Sequence, residues 1–268
     1  MTISDPKLSY NPTTLKIVER RRIILEVLQQ KGSADINELS ERLHVSSMTV
    51  RRDLKELAGT GSISIRQGTA VLNDGALREY NMLVKHDINI EEKRRIAQKC
   101  FEYVSDGDSI FLDAGTTVKE LAELICRCNE SVNILTHSLL AANALRGINN
   151  SRLIMCPGEY RDMSMAFLGA LADDFIQRFQ IDVLFLSTEG VSISDGLSVV
   201  DVADGHAKRI MIEHAKKVVL MADSSKFEKT FFYKIAPVSS IDVIVTDTDL
   251  DDSQYEEYQL AGVEVVRV

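Results

Sequence analysis

The chain has 268 residues and a net charge of −9; 45% of its residues are hydrophobic, 26% are charged and none is Trp. This length suits one large domain or two unequal ones, and the composition is that of a globular protein with an aliphatic core. No apolar run approaches the roughly 18 residues of a membrane span, and residues 1–14 contain no apolar core of a secretion signal. We therefore expect a cytoplasmic protein that does not associate with a membrane.

The positions of the cysteines and of the charged residues give further information on the class of protein. The four cysteines lie at positions 100, 126, 128 and 156, which predicts reduced thiols rather than a disulfide framework or a metal site. Residues 15–75 carry ten Lys and Arg against eight Asp and Glu, residues 1–14 are neutral, and residues 76–268 therefore carry −11. A basic segment followed by an acidic one indicates two parts with different partners.

Residues 1–14 are predicted to be a flexible tail, and three short helices follow it. Apolar residues between Ile17 and Leu28 have helical spacing, and Gly32 ends that helix. Asp35, with Glu38 three residues later, resembles a capping box that opens a second helix. A third helix is expected from Ser47 to Ala58.

The stretch after the third helix reads "SISIRQGTAVL" and predicts two short strands joined at Gln67 and Gly68. Three helices and a hairpin in this order are the elements of a winged helix-turn-helix, which we assign to residues 15–73. On a helical wheel at 100° per residue, Val50, Leu54 and Leu57 share one face of the third helix. The opposite face carries Met48, Arg51, Arg52 and Lys55.

A cationic helix in this position predicts binding to double-stranded DNA. The second helix of a helix-turn-helix lies in the major groove, where Arg pairs with guanine and hydroxyl groups suit phosphates. The candidate DNA-binding residues are Ser46, Ser47, Thr49, Arg51, Arg52 and Lys55, with Arg66 and Gln67 at the hairpin tip. An ordinary solvated amphipathic helix is the alternative. Arg20, Arg21 and Arg22 either contact phosphates or are solvated at the start of the first helix.

Residues 74–88 are predicted to be a linker, and residues 89–268 a larger α/β domain. Short apolar strands alternate with helices there, which is typical of a mostly parallel sheet covered on both faces. The predicted strands are SIFLDAG, VNILTHS, RLIMCPG, VLFLST, KVVLMAD, IDVIVTD and VEVVRV.

Several strand ends of this domain carry residues suited to an anionic ligand. In "FLDAGTTVKEL", Asp113, Gly115, Thr116 and Thr117 lie where a strand ends and a helix begins, and the helix N-terminus favours an anion. Further candidates follow other strands or lie on a helix between them: Thr136, His137, Ser138, Gly158, Lys208, Asp223 and Lys226.

Both segments resemble one known family. The stretch from Arg20 to Gly68, with its "TVRRDL" core, closely resembles the DNA-binding domain of DeoR-family bacterial transcription regulators. The segment from about 89 to 268 resembles the effector domain of that family, which senses phosphorylated sugars or related metabolites. The resemblance implies that Gly115, Thr116, Thr117 and Ser138 line the phosphate end of a pocket. It also implies that Lys208, Asp223 and Lys226 line the rest.

The chain departs from the family pattern at several positions. The hairpin tip reads Gln67-Gly68-Thr69 where the family usually has His-Gly-Gly, and His137 stands where Asn is usual. Pro157 replaces the first of two glycines, and "STEG" replaces a Gly-Gly pattern. These changes in the pocket loops are expected to alter the choice of ligand.

The larger domain also resembles ribose-5-phosphate isomerase, which supplies a second hypothesis. A phosphosugar isomerase-like enzyme with an attached DNA-binding domain would need a general base. The corresponding region, 188–204, contains Glu189 and Asp195 but lacks the lysine and glycine run of the isomerase. We therefore expect no enzymatic activity, no cofactor and no metal.

Together the patterns and the resemblance predict a DNA-binding transcriptional regulator. We expect a repressor of a carbohydrate-utilisation operon that is relieved by a phosphorylated sugar. Because one recognition helix buries little surface, a homodimer or homotetramer on symmetric operator half-sites is expected.

Overall fold

The computed structural model describes residues 17–59, 63–72, 82, 85, 88–128 and 130–268. The chain divides into two compact units, with the boundary between Leu77 and Arg78. The predicted tail 1–14 and most of the predicted linker 74–88 lie outside the described residues.

The first unit is a winged helix-turn-helix, as predicted. Its elements are helix α1 (Ile17–Lys31), strand β1 (Ser33–Asp35), helices α2 (Ile36–Leu43) and α3 (Ser47–Gly59), and strands β2 (Ile63–Arg66) and β3 (Thr69–Leu72). Strand β3 pairs with β1 and β2 in an antiparallel sheet of order β1-β3-β2. Strand β1 was not predicted, because three residues between two helices give no periodic signal.

The helices of this unit form because apolar residues recur on one side of each. Val50 and Leu54 are fully buried and Leu57 is nearly so, as the helical wheel predicts. Asp35 caps α2 by accepting a hydrogen bond from the N–H of Asn37. The predicted capping box is only half formed, because the Glu38 carboxylate pairs with Lys31.

The second unit is built on a seven-stranded parallel sheet of order β15-β14-β12-β9-β4-β5-β6. Its strands are β4 (Ser109–Leu112), β5 (Asn133–Thr136), β6 (Arg152–Met155), β9 (Ile181–Leu186), β12 (Ala215–Met221), β14 (Val243–Thr246) and β15 (Glu264–Arg267). Each overlaps one of the seven predicted segments, although β9 and β12 begin two residues before theirs, so the predicted parallel α/β fold is confirmed.

Helices cover both faces of this sheet. They are α4 (Ile90–Phe101), α5 (Thr116–Ile125), α6 (Leu139–Ala144), α7 (Ala170–Ile176), α8 (Val202–Glu213) and α9 (Asp252–Leu260). Because successive strand residues point to opposite faces, Phe111 packs into one core while Ile110 and Leu112 pack into the other. Residues of α4, α5 and α6 line the second core, and residues of α7, α8 and α9 line the first.

Two small antiparallel sheets complete the second unit. Strands β7 (Glu159–Arg161) and β8 (Ala166–Leu168) form a hairpin, and β10 (Gly190–Ser192), β11 (Gly196–Val199) and β13 (Tyr233–Ala236) form a second sheet. These strands come from loops that follow parallel strands, so they add walls at the carboxyl edge of the main sheet.

The strand order fixes where a ligand can bind. From β4 the chain continues to β5 and β6 on one side, whereas from β9 it continues to β12, β14 and β15 on the other. The crevice at the carboxyl ends of β4 and β9 is therefore a topological switch point, the place where open α/β sheets bind ligands. Among the described residues, none of the helices has the length and apolarity needed to cross a membrane.

Candidate functional site

The exposed face of α3 is cationic. Arg51, Arg52 and Lys55 are exposed, and Met48 beside them is 75% exposed. Within the described part of the chain, these three cations have no hydrogen bond or ion pair to another residue. They are therefore available to an external anion.

Hydroxyl groups lie at the N-terminus of the same helix. Ser46 Oγ accepts a hydrogen bond from the N–H of Thr49 at 3.2 Å and lies 2.9 Å from Thr49 Oγ1. Ser46 is thus the cap of α3, while Ser47 is half-buried in its first turn. Ser46 is exposed and Thr49 half-buried in the first turn of α3, the part of a recognition helix that approaches base edges.

The helix is held in place by a buried ion pair that sequence reasoning missed. Asp53 is 2% exposed, and its carboxylate accepts from Arg20 Nε at 2.8 Å and Arg21 Nε at 3.4 Å. Arg20 and Arg21 therefore bind α3 to α1 through their Nε atoms. The side chain of Arg22 lies outside the described residues.

The hairpin tip is a tight turn. Gln67 and Gly68 have φ angles of 46° and 85°, and they join Arg66 to Thr69 across the ladder. Two successive positive φ angles are typical of a type I′ turn, which glycine enters freely and glutamine at a cost. Arg66 and Gln67 are exposed at this tip, and the Gly68 carbonyl accepts from the N–H of Ile36 in α2.

In the second unit, a buried carboxylate occupies the switch point. Asp113 follows β4, is fully buried, and accepts from Lys208 Nζ of α8 at 2.6 Å. The backbone N–H and the hydroxyl of Ser187, which follows β9, each lie 2.8 Å from the same oxygen. Burial alone would raise the pKa of Asp113, but Lys208 and His137 outweigh it and hold that pKa well below its ordinary value.

His137 and Asp204 complete this group, which we call the Asp113 cluster (Asp113, His137, Ser187, Asp204, Lys208). The buried His137 ring places Nε2 3.0 Å from Asp113 Oδ1 and 3.1 Å from the N–H of Ala114. Its Nδ1 has no hydrogen-bond partner among the described residues. Oδ1 of Asp204 has no hydrogen bond there either, and its nearest counter-charge is the Lys208 ammonium at 3.5 Å. Buried polar atoms are normally hydrogen-bonded, so both atoms have capacity for a ligand.

The Asp113 cluster also has the spacing of a metal site. Among the described residues, ligand atoms of Asp113, His137 and Asp204 lie within 4.8 Å of one another. The Lys208 ammonium lies 2.6 Å from one of these carboxylates and 3.5 Å from the other. Lys208 therefore supplies the positive charge that the two carboxylates require, and their attraction raises its pKa against the effect of burial.

Asp204→Asn is expected to stabilise the second unit at neutral pH. Burial raises the pKa of Asp204 from 3.8 to about 6, despite the opposing effect of Lys208. Above pH 6 the folded state must hold an unfavourable charge, and as the pH falls through 6 it takes up a proton before the unfolded state does. Removing the charge should add on the order of 2 kcal/mol at pH 7.5 and progressively less toward pH 4.

Urea unfolding of wild type and Asp204→Asn at pH 7.5 and pH 5 checks this prediction. A variant that is less stable than wild type at pH 7.5, or whose effect does not depend on pH, contradicts it. Asp249→Asn, an exposed carboxylate on the loop after β14, is the matched control.

A second polar group, the Lys226 cluster, lies at the ends of β9 and β12 and contains Lys85, Lys93, Glu189, Asp223 and Lys226. Lys85 Nζ pairs with Glu189 Oε1 at 2.6 Å, and Asn89 Nδ2 donates to Asp223 Oδ1 at 3.1 Å. Burial lowers the pKa of Lys226, although Asp223 opposes the shift. The two clusters meet in the loop after β9, where Ser187 belongs to the first and Glu189 to the second.

The remaining predicted residues shape the loops around these clusters. Thr116 and Thr117 are buried in the first turn of α5, whose cap residue Gly115 offers no side-chain acceptor to the free N–H groups. A Cβ at Gly115 would lie 2.7 Å from the Ser187 side chain, so glycine allows the two loops to meet. A Cβ at Gly158 would lie 2.6 Å from a backbone carbonyl oxygen of β8.

Two hydroxyls after β5 are used within the protein. Thr136 Oγ1 donates to the carbonyl of Leu112 at 2.7 Å and accepts from the N–H of Ser138 at 3.0 Å. Ser138 Oγ caps α6 by accepting from the N–H of Ala141 at 3.2 Å. These contacts fix the turn that carries His137 into the Asp113 cluster.

Comparison with known proteins identifies both units. Residues 20–75 match the DeoR-like helix-turn-helix domain, and residues 88–248 match the DeoR C terminal sensor domain. The chain belongs to the DeoR family of transcriptional regulators. The second unit of this DeoR-family protein is accordingly its sensor domain.

Curated relatives agree with this assignment. The lactose phosphotransferase system repressor of Staphylococcus epidermidis is 34% identical, over 91% of this chain and 96% of its own. The glycerol-3-phosphate regulon repressor of Escherichia coli is 32% identical, over 87% and 92% respectively.

Among solved structures, ribose 5-phosphate isomerase A from Methanocaldococcus jannaschii is a distant match. It is 17% identical, covers 52% of this chain and 55% of its own, and has a TM-score of 0.38. Nothing about its activity is transferred at this similarity.

Sequence reasoning on the DeoR-family protein missed four residues of the two clusters: Lys85, Lys93, Ser187 and Asp204. Lys93 and Asp204 lie in the first turns of helices, where charged residues are usually solvated. The cationic stretch "KRRIAQK" is typical of a solvated helix face, whereas Lys93 within it is only 4% exposed. The spacing of Asp204 and Lys208, four apart on one helix face, was the one available signal.

Proposed function

We propose that this protein represses a carbohydrate-utilisation operon and that a phosphorylated sugar or related metabolite relieves the repression. Two relatives are named as repressors, one of the lactose phosphotransferase system and one of the glycerol-3-phosphate regulon. One name contains a phosphorylated compound and the other a sugar phosphotransferase system, which supports an effector of this class.

The observation that carries the effector half of this proposal is the state of Lys226. Lys226 is half-buried, and among the described residues it has no hydrogen bond or ion pair. A cation that loses part of its hydration without gaining a direct partner is unfavourable, and the lowered pKa of Lys226 reflects that cost. An electronegative oxygen of the effector would supply the missing partner.

The N-terminus of α5 supports the same class of ligand. This helix has ten residues, and no side chain caps its first N–H groups. Free N–H groups and the helix dipole favour an anion, and the hydroxyls of Thr116 and Thr117 lie in the same turn. We infer that the phosphate end of the effector lies here and that Lys208, Asp223 and Lys226 surround the remainder.

The proposed mode of action couples the two sites through a population shift. An effector changes the affinity for operator DNA only if it binds the DNA-competent and DNA-incompetent states with different affinities. A homodimer or homotetramer would present two or more recognition helices to symmetric half-sites in double-stranded DNA. Light scattering in solution measures that oligomeric state. We also propose that the protein is cytoplasmic.

We propose ligand binding rather than turnover for the sensor domain. Glu189 pairs with Lys85, and Asp195 pairs with Lys234 and accepts from Thr230 at 2.9 Å. An isomerase needs a base free to move a proton between adjacent carbons. Any sugar phosphate that binds can be assayed for aldose–ketose isomerisation. Measurable turnover would contradict this proposal.

Lys226→Met is the variant that tests the proposed effector site. Wild-type protein should show a rise in melting temperature with at least one member of a panel of sugar phosphates. A ligand at 100 times its dissociation constant adds about 2.7 kcal/mol of stability. Loss of one charge-assisted hydrogen bond should weaken that binding about 10-fold or more in Lys226→Met.

Lys216→Met is the matched control, because Lys216 is an exposed lysine of the same domain that pairs with Asp182. It should bind the same sugar phosphate as wild type. No thermal response of wild type to any phosphate, or equal binding by Lys226→Met, would count against the proposed function.

A further inference from the structure

The first turn of α3 exposes an apolar side chain to solvent. Met48 is 75% exposed, and of the large apolar side chains that the structure describes in the first unit it is the most exposed, ahead of Ile17 at 54% and Ile65 at 41%. Two residues before the buried Val50, it lies about 200° away on the helical wheel, on the side opposite the core. The core of this unit therefore does not take up the Met48 side chain.

Met48 lies within the cationic face of α3. Arg51 and Arg52 follow it by three and four residues, the spacings that bring side chains together on one helix face. Lys55 lies one turn beyond Arg51, and all three cations are exposed. When these cations reach DNA, the methionine among them is brought to the same surface and loses contact with water.

The backbone that carries Met48 is fixed before DNA binds. Ser46 Oγ caps the helix by accepting from the N–H of Thr49 at 3.2 Å. The buried Asp53 carboxylate, one turn further along α3, accepts from Arg20 Nε of α1 at 2.8 Å. Because the turn is already ordered, a contact made by Met48 costs little further conformational entropy of the backbone.

The chemistry of methionine restricts what it can recognise in the major groove. Its thioether has no hydrogen-bond donor and is only a weak acceptor. The base edges in this groove present donors and acceptors, together with one apolar group, the C5-methyl group of thymine. An apolar side chain therefore distinguishes base pairs in the major groove through that methyl group.

We propose that Met48 is a specificity-determining residue that packs against the C5-methyl group of a thymine in each operator half-site. This inference rests on the proposed function, because it requires α3 to bind an operator. The arginines of α3 are suited to guanine, whose O6 and N7 accept hydrogen bonds. Met48 adds an apolar contact at a different base pair, so the operator should require a thymine as well as guanines.

Replacement of single thymidines by deoxyuridine tests this inference, because deoxyuridine keeps every hydrogen-bonding group of thymidine and lacks only the C5-methyl group. The operator is selected from a random pool by wild-type protein, and fluorescence anisotropy gives the dissociation constant for each replacement. One replacement in each half-site should weaken binding by wild type about 4-fold, the effect of one buried methyl group. Met48→Ala should bind the replaced and unreplaced operators equally, and this non-additivity assigns the contact.

Two further variants show which side chain makes the contact. Met48→Leu keeps an apolar side chain and should remain sensitive to the deoxyuridine replacement. Thr49→Ser removes the other methyl group of this turn, keeps the hydroxyl group, and should also remain sensitive. Sensitivity that is lost in Thr49→Ser but kept in Met48→Ala would overturn the inference. Since Met48 is exposed and alanine is the stronger helix former, Met48→Ala should fold as wild type does.

Selection of operators by Met48→Ala gives a second readout that does not depend on a modified base. The selected sequences should match the wild-type operator except at one position in each half-site, where thymine is no longer required. The guanine positions should be unchanged. Selection of the same thymine by Met48→Ala and by wild type would contradict the proposed contact.

The behaviour of wild-type protein separates failure of this inference from failure of the proposed function. If wild type selects a defined operator and none of the deoxyuridine replacements weakens binding, the role of Met48 is wrong while operator recognition stands. If wild type selects no defined sequence, operator recognition and this inference are both wrong.

Discussion

Replacement of Lys208 by Met is expected to lower the free energy of unfolding of the sensor domain by about 3–5 kcal/mol. Asp113 and Lys208 are both fully buried, and their charged atoms are 2.6 Å apart. Methionine preserves the length of the side chain but leaves the Asp113 carboxylate without its main counter-charge. Loss of one partner from a buried pair costs far more than the intact pair contributes.

Urea titration read by hydrogen exchange on peptides from β4 and β12 measures this loss within the sensor domain. Lys216→Met removes an exposed lysine from a surface pair and should cost no more than about 1 kcal/mol. Combining Lys208→Met with Asp113→Asn should recover part of the loss, because the unpaired charge is gone. Equal stability of Lys208→Met and Lys216→Met would show that the buried pair does not support the fold.

Arg51→Ala and Arg52→Ala are each expected to weaken binding to a specific operator about 10–100-fold, which corresponds to about 1–3 kcal/mol per bidentate contact. Both guanidinium groups are exposed on α3 and have no partner among the described residues. Substitution therefore leaves no internal group unpaired, and the fold should be preserved. Gel-shift titration against an operator selected from a random pool by wild-type protein measures the change.

Competition with unrelated duplex DNA separates two roles for these arginines. If the replaced arginine reads a base, the variant should lose affinity for the operator and much less affinity for unrelated DNA. If the arginine contacts a phosphate, the variant should lose affinity for both DNAs equally. Arg42→Ala, an exposed arginine in the last turn of α2, is the control within the same domain. Unchanged operator affinity in both Arg51→Ala and Arg52→Ala would remove α3 as the recognition helix.

The main sheet could be predicted from sequence because its strands contain short apolar runs, such as "VLFL" in β9 and "VVLM" in β12. The minor strands could not, because β7 ("EYR") and β10 ("GVS") are three residues long and lack alternation. Their pairing depends on contacts between loops that are distant in the chain. Gly196 in β11, for example, lies against the backbone of Ala236, forty residues later.

The candidate site was predictable where chemistry follows a strand end, as at Asp113 and Lys226. Ion pairs between residues that are far apart in the chain could not be predicted. Asp53 lies about 60° from Val50 on the helical wheel, beside the buried face, which marked it as a carboxylate in need of a counter-charge. Only the fold shows that Arg20 and Arg21, more than thirty residues earlier, provide it.

The separation of Asp113 and Lys208 along the chain has a consequence for biosynthesis. The ribosome makes the aspartate 95 residues before the lysine that neutralises it, and an unneutralised carboxylate resists burial. The burial of Asp113 beside its counter-charge is therefore complete only after α8 has emerged, whereas the last strand of the winged helix-turn-helix ends at Leu72. The DNA-binding domain should thus mature first, on a nascent chain whose sensor is still incomplete.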